Sequence, residues 1–194
     1  MEHRIAEVVR NTKETKIRIR LDLDGTGKAQ IRTGIGFFDH MLTALAVHAG
    51  WGLVLNCEGD TWVDGHHSVE DIGIVLGQTL ADLVDKTCIQ RYGSAYIPMD
   101  EALCRAVVDV SGRPFLVYHA EVSAPMIGEY DTELTEEFFR AFAMNAGITL
   151  HIEALYGKNA HHIVEGIFKA VAHALAAALA PRDGGVLSTK GVLA

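Results

Sequence analysis

The sequence predicts an α+β fold built from two related halves, each a β-β-α-β-α unit whose sheet packs on its helices. Three observations carry that reading. His66-His67-Ser68-Val69-Glu70 returns in the second half as His161-His162-Ile163-Val164-Glu165. The stretch 40–50 lies over 137–147 without a gap, and both copies end in Ala-Gly. Alternating polar and apolar runs of strand type precede the helical stretches of each half. The 194 residues therefore read as a single unit of two pseudo-symmetric halves, about 1–97 and 98–194, joined near Pro98.

Taken in order, residues 4–9 and 16–23 alternate as strands with one buried face. Asp24-Gly25-Thr26-Gly27 is a turn signal, so residues 28–33 are expected to return as a hairpin partner. Asp39 reads as the N-cap of a helix whose apolar face is Met41, Leu42, Leu45, Ala46 and Ala49, and Gly50 ends it. Residues 51–57 read as a further strand, and a helix is expected from about His66 to Asp85. In the second half, residues 103–110 and 115–122 read as a strand pair around Ser111-Gly112-Arg113-Pro114, followed by a helix over 137–147. The alanine-rich run 169–180 predicts a helix buried between halves or subunits. Pro181 ends it, and the tail Ser188-Thr189-Lys190-Gly191 is polar, basic and expected to be flexible.

A net charge of −8 without any basic run argues against nucleic acid or an anionic membrane as partner. No long apolar stretch is free of charge and histidine, so no membrane span is expected. Met1-Glu2-His3-Arg4 lacks the basic and apolar regions of a secretory leader, which leads us to expect a cytoplasmic protein. Cys57, Cys88 and Cys104 share no metal-ligand spacing and read as small buried thiols of a reducing cytoplasm.

The chemistry lies in the repeated histidines. On a helix, His66 and Glu70 share one face, while His67 sits roughly 100° round and can serve a second ion. A surface helix explains one such motif as well as a metal does, but it does not explain two at equivalent places. The candidate metal set is His66, His67, Glu70, His161, His162 and Glu165, joined by His40 and by Glu137, which occupies the matching position in the second half. Imidazole and carboxylate without thiolate suit manganese, iron or zinc. His48, His119, His151 and His173 read as structural, with His151 and His173 expected to be hydrogen-bonded core histidines. Arg91, Arg113, Lys169, Ser188 and Lys190 are candidates for holding a phosphate. Acid–base candidates are plentiful, namely Glu14, Asp64, Asp71, Asp100 and Glu101 beside the metal carboxylates, and spacing does not choose among them. No Walker-type or dinucleotide glycine motif and no nucleophile elbow is present. A dehydrating lyase, a di-metal hydrolase of a small phosphate ester and a non-catalytic metal shell all fit these residues.

A resemblance narrows the choice. Thr12-Lys13-Glu14-Thr15, Gly36-Phe37-Phe38-Asp39-His40, Asp64-Gly65-His66-His67-Ser68-Val69-Glu70-Asp71, Asp109-Val110-Ser111-Gly112-Arg113-Pro114, His161-His162-Ile163-Val164-Glu165 and Ser188-Thr189-Lys190-Gly191 together resemble the imidazoleglycerol-phosphate dehydratase family of histidine biosynthesis. The likeness spans essentially the whole chain. It implies a duplicated fold like the second domain of ribosomal protein S5. It also implies a homo-oligomer of 24 subunits with sites shared between them, and two Mn²⁺ per subunit. The implied reaction eliminates water from imidazole glycerol phosphate, a small-molecule phosphate, to give imidazole acetol phosphate. Under the resemblance His40, His66, His67, Glu70, His161, His162 and Glu165 match metal positions. Arg91, Arg113, Ser188 and Lys190 match phosphate contacts, and Glu14 matches a substrate-contacting glutamate. Many members carry histidine at the place of Glu137. The proton-moving carboxylate is Glu70 or Glu165, with Glu165 preferred.

Overall fold

The structure is a computed structural model that describes residues 3–193; Met1 and Glu2, part of the stretch read for a leader, and Ala194 lie outside the described residues. Alternation draws the first segment into an antiparallel hairpin, β1 (Ile5–Asn11) with β2 (Thr15–Asp22), burying Ile17, Ile19 and Leu21 beneath it. β3 (Ala29–Arg32), α1 (Gly36–Ala49), β4 (Gly52–Gly59) and α2 (His66–Leu83) complete the first half, whose sheet runs β1-β2-β4-β3. The second half repeats this order with β5 (Tyr92–Met99), β6 (Ala102–Asp109) and β7 (Phe115–His119). A short hairpin, β8 (Met126–Ile127) with β9 (Tyr130–Asp131), leads into α3 (Leu134–Ala146), β10 (Thr149–Tyr156) and α4 (Ala160–Leu179). Its sheet runs β5-β6-β10-β7, strand for strand the order of the first.

Each half carries one strand more than a bare β-β-α-β-α unit, and the third strand of the first half, expected at 28–33, is not a hairpin partner. β3 pairs parallel with β4, and β7 pairs parallel with β10. Strand length explains the choice. β2 and β4 match over eight residues, from Thr15 opposite Gly59 to Asp22 opposite Gly52. That leaves the four-residue β3 only the free edge of β4. The turn before β3 is pressed onto the end of β4, where the Gly27 amide donates to the Gly50 carbonyl at 3.2 Å. A Cβ on Gly25 would stand 2.3 Å from the Gly52 nitrogen, so only glycine fits there.

The sequence reading has no strand at 92–99, because glycine, serine and proline dilute its signal. β5 is an edge strand, the one place in a sheet where Pro98 is tolerated, and it pairs with β6 along its length. The link between the two sheets therefore runs over residues 84–91 and not near Pro98. α1 begins at Gly36 and not at Asp39. The Asp39 carboxylate sits in the first turn and accepts from the Thr33 amide and hydroxyl at 2.8 and 2.6 Å, tying the helix back to the loop. Gly50 closes the helix in the left-handed conformation, φ 74°, as its place after Ala49 predicts.

The helices pack across the duplication. α2 lies on β1 and β2 and against α3 of the other half, while α4 lies on β5 and β6 and against α1. Glycines set the first crossing: a Cβ on Gly73 or Gly77 would stand 2.8 or 2.5 Å from a backbone oxygen of α3. Phe38, Phe138, Phe139 and Phe168 fill the centre, with Phe138 and Phe168 stacked at 5.5 Å. α4 is long and apolar enough to cross a membrane, yet 72% of its most apolar window is buried inside the fold. The outer faces of the sheets differ. The first presents Glu7, Lys16, Arg18, Arg20, Arg32 and Glu58, whereas the second exposes Tyr92, Tyr96, Val107 and Phe115.

Candidate metal centre

Three of the predicted ligands converge within one chain. Asn159 caps α4 by accepting from the amides of His161 (2.9 Å) and His162 (3.4 Å), so the helix starts where the histidine pair needs it. His161 and Glu165 then stand one above the other, and α1 brings His40 across the half boundary. Both Nε2 atoms face the same Glu165 Oε2, at 3.3 Å from His40 and 3.0 Å from His161. All three ligand atoms lie within 4.8 Å of one another. Glu165 is only 7% exposed, and Lys169 Nζ sits 2.6 Å from its other oxygen. Burial pushes this carboxyl up, but the Lys169 bond and charge, with the bonds from His161 and His40, outweigh it and hold Glu165 below the usual carboxylate range. Phe37 closes one side, its ring 5.1 Å from that of His161.

The second histidine of each pair is oriented by a carboxylate. His162 Nδ1 lies 2.7 Å from Glu101 Oε2, and His67 Nδ1 lies 3.0 Å from Asp60 Oδ2. These bonds raise both imidazoles above their ordinary value, and the His162 bond with the amides of Asn159 and Lys158 draws Glu101 down to about 2. Engaging Nδ1 leaves Nε2 as the outward ligand atom, the usual device for orienting a metal-binding imidazole. Glu14 Oε1 stands 3.9 Å from His67 Nε2. Sequence reasoning missed Asp60, which no motif marks. Glu101 carried a readable signal, since Glu14 and Glu101 each directly precede the second strand of their half.

The counterpart in the first half is open. Glu137 points toward Arg140, 3.6 Å away, and the His66 amide donates to Asp64 Oδ1 at 2.8 Å. No hydrogen bond or ion pair reaches Glu70 among the described residues. Glu137 and His66 line a cleft of about 1280 Å³ together with Trp62, Asp64, Glu133 and Glu136. Asp71 is structural: it accepts from Thr15 Oγ1 at 2.5 Å and pairs with Arg10 at 2.5 Å, fixing the loop that carries Glu14 to α2.

The phosphate candidates gather elsewhere. Arg91 is 7% exposed and grips Asp109 with two bonds, 2.7 and 3.1 Å, while its Nη1 donates to the Leu187 carbonyl at 2.5 Å. Arg113 joins the same Asp109 at 3.3 Å, and the Lys190 amide donates to Ser188 Oγ at 3.2 Å. Arg91, Arg113 and the tail thus meet at one end of β6, and the base of the tail is pinned there. Lys169 is not among them, being held by Glu165. Glu101 precedes β6 and Asp109 ends it, so eight residues at about 3.3 Å each separate the two clusters by roughly 25 Å. His119, His151 and His173 are exposed and not core residues.

An internally duplicated α+β sandwich, with histidines and carboxylates in ligand array at its helix starts, defines the class. Comparison with known proteins gives the particular family. The profile described as imidazoleglycerol-phosphate dehydratase matches residues 33–175. The imidazoleglycerol-phosphate dehydratase of an Exiguobacterium species is 60% identical over 190 residues, 97% of each chain. That of Azorhizobium caulinodans is 57% identical over 194 residues, 98% of each. The crystal structure of the Staphylococcus aureus enzyme superposes with a TM-score of 0.83 at 46% identity, covering 91% of this chain and 99% of that one. The chain belongs to the imidazoleglycerol-phosphate dehydratase family.

Proposed function

We propose that this hydro-lyase of histidine biosynthesis eliminates water from imidazole glycerol phosphate to give imidazole acetol phosphate, with two Mn²⁺ per subunit at sites shared between subunits. The observation that carries the reading is the meeting of His40, His161 and Glu165 around one point, all nitrogen and oxygen donors. Such a set without thiolate suits a divalent ion of manganese type. Bound there, such ions act as Lewis acids and as a template for the imidazole ring.

The chain supplies the rest. Glu165, buried with one oxygen held by Lys169 and the other facing His40 and His161, is the carboxylate placed closest to the ligand cluster, and we assign it the proton from the carbon next to the ring. Glu70 and Glu14 are the alternatives. Arg113, Ser188 and Lys190 hold the phosphate, with Arg91 fixing the tail that carries two of them. A separation of roughly 25 Å exceeds what a small phosphate ester spans, which favours a site made from the ligand end of one copy and the arginine end of another. The apolar outer face of the second sheet supports association of copies, for which the expected state is the 24-mer. Cytoplasmic location without nucleic acid or membrane partners completes the proposal.

Complementation tests it. Glu165→Ala and Arg113→Ala chains, each inactive alone, are unfolded together, refolded as a mixture and reloaded with Mn²⁺. Return of activity, read as release of the keto product without inorganic phosphate, is expected. No return in mixtures that demonstrably contain both chains would put the complete site within one chain. Release of phosphate would make the protein a hydrolase.

A further inference from the structure

The two helices that join His40 to Glu165 bring a second pair of histidines together eight residues further along each, about 12 Å away. His48, in the last turn of α1, and His173, on α4, face each other across the boundary between the halves, with His48 Nδ1 3.1 Å from His173 Nε2 and ring centroids 5.2 Å apart. We propose that His48 and His173 form a two-histidine site for a transition-metal ion such as Ni²⁺, Cu²⁺ or Zn²⁺, which staples α1 to α4.

The spacing carries the inference. Metal–imidazole bonds are about 2.0–2.1 Å long, so two nitrogens 3.1 Å apart subtend an angle of roughly 100° at a shared ion. That lies between the octahedral and tetrahedral ligand angles. The 3.1 Å contact is an N–H···N hydrogen bond between rings whose planes are 63° apart, and an ion binds by replacing the shared proton, which passes to solvent as the exposed His173 ring turns. Water completes the shell on the solvent side. Imidazole suits nickel, copper and zinc and gives manganese no oxygen donor, so this site discriminates against manganese more strongly than the HHxxE centre does.

The charges around the pair are consistent. Burial chiefly, then Lys169 and His173, keep His48 below the ordinary imidazole value, which favours the neutral form a metal needs, while Glu165 acts in the opposite sense. Lys169 lies one turn from His173, and its ammonium is drawn onto Glu165 at 2.6 Å, which offsets its repulsion of an ion. No family motif quoted above includes either histidine. α4 is the helix that crosses the whole second half, so a staple at His173 would brace the same helix that carries Glu165.

The test uses full-length protein loaded with excess Mn²⁺, titrated with Ni²⁺ by calorimetry and followed by thermal unfolding. Wild type is expected to bind one more Ni²⁺ per chain than His173→Gln, and to gain several degrees in unfolding midpoint that the variant does not gain. His173 is exposed, so His173→Gln folds, and its dehydratase activity with Mn²⁺ is expected to equal that of wild type. His48→Gln should remove the same binding event. Equal Ni²⁺ stoichiometry and equal thermal gain in wild type and His173→Gln would overturn the proposal, because the ion would then act only at the HHxxE residues.

Discussion

The two halves share strand order, helix order and the His-His-x-Val-Glu motif, yet one ligand cluster is closed and the other open. The closed one joins two imidazoles to one carboxylate, with Lys169 a turn further along α4 to hold that carboxylate still. In the first half Ile74 occupies the place of Lys169, and Glu137 that of His40. Glu137 and Glu70 would set two like charges at one place, and Glu137 faces Arg140 instead. The two clusters thus differ in the charges that their side chains bring.

The largest test of that contrast is Glu165→Gln against Glu70→Gln in metal-stripped protein. Removing the buried Glu165 charge strands Lys169 and should lower stability by about 3 kcal/mol. Glu70→Gln should change it little, as read by denaturant unfolding of both variants. Equal losses would mean that the first cluster also closes without an ion.

The helix crossings come next. Gly77→Ala forces a Cβ to within 2.5 Å of the Phe142 oxygen and should cost about 1–3 kcal/mol. Ala172 holds the equivalent place on α4, where Ala172→Gly should cost only about 1 kcal/mol through helix propensity. Thermal unfolding of the pair would show whether the two crossings differ as much as their glycines indicate.

Glu137→His should give the first half the charge pattern of the second and tighten one ion. Glu137→Ala should loosen that ion about tenfold while leaving the other unchanged. Metal counting across a chelator titration reads both.

The smallest effect concerns Glu101 and His162. The raised His162 pKa contributes stability that is full below the ordinary value of 6.5 and fades as pH rises through the folded pKa. Glu101, lowered to about 2, contributes fully above its ordinary 4.5 and loses this as pH falls toward 2. Glu101→Gln should therefore weaken metal-stripped protein most between pH 4.5 and 6.5, less under alkaline conditions where His162 is neutral, and least as pH falls toward 2 and Glu101 is protonated. An unfolding-midpoint shift that is flat across pH would show that the charges of the pair contribute nothing to the fold.

Much of this was legible in the sequence because duplication doubles every signal. The repeated histidines, the Ala-Gly helix ends and the apolar α4 each place an element correctly. The parallel pairing of β3 and β7 was not legible, since a glycine turn after a strand reads as a hairpin and only the matched lengths of β2 and β4 exclude it. β5 was hidden because edge strands tolerate the residues that usually mark loops. At the site, the residues that converge on α4 are written in the motif, but the carboxylates that aim His67 and His162 come from strand ends with no periodicity of their own.

The thiols have a practical consequence. Burial raises Cys57 and Cys104 to about 11, so neither offers a thiolate near neutral pH, whereas Cys88, expected to be buried like them, lies in the link 84–91 outside both cores and is exposed. Cys88 stands in the link 84–91, where its carbonyl accepts from the Arg182 amide at 2.9 Å and Ile89 bridges to Pro181. A maleimide dye would therefore attach at one point per folded chain, beside the joint between the halves and the root of the C-terminal tail. The protein thus comes with a built-in address for a fluorescent reporter, obtained without engineering, that looks directly at the strand of chain leading to Ser188 and Lys190.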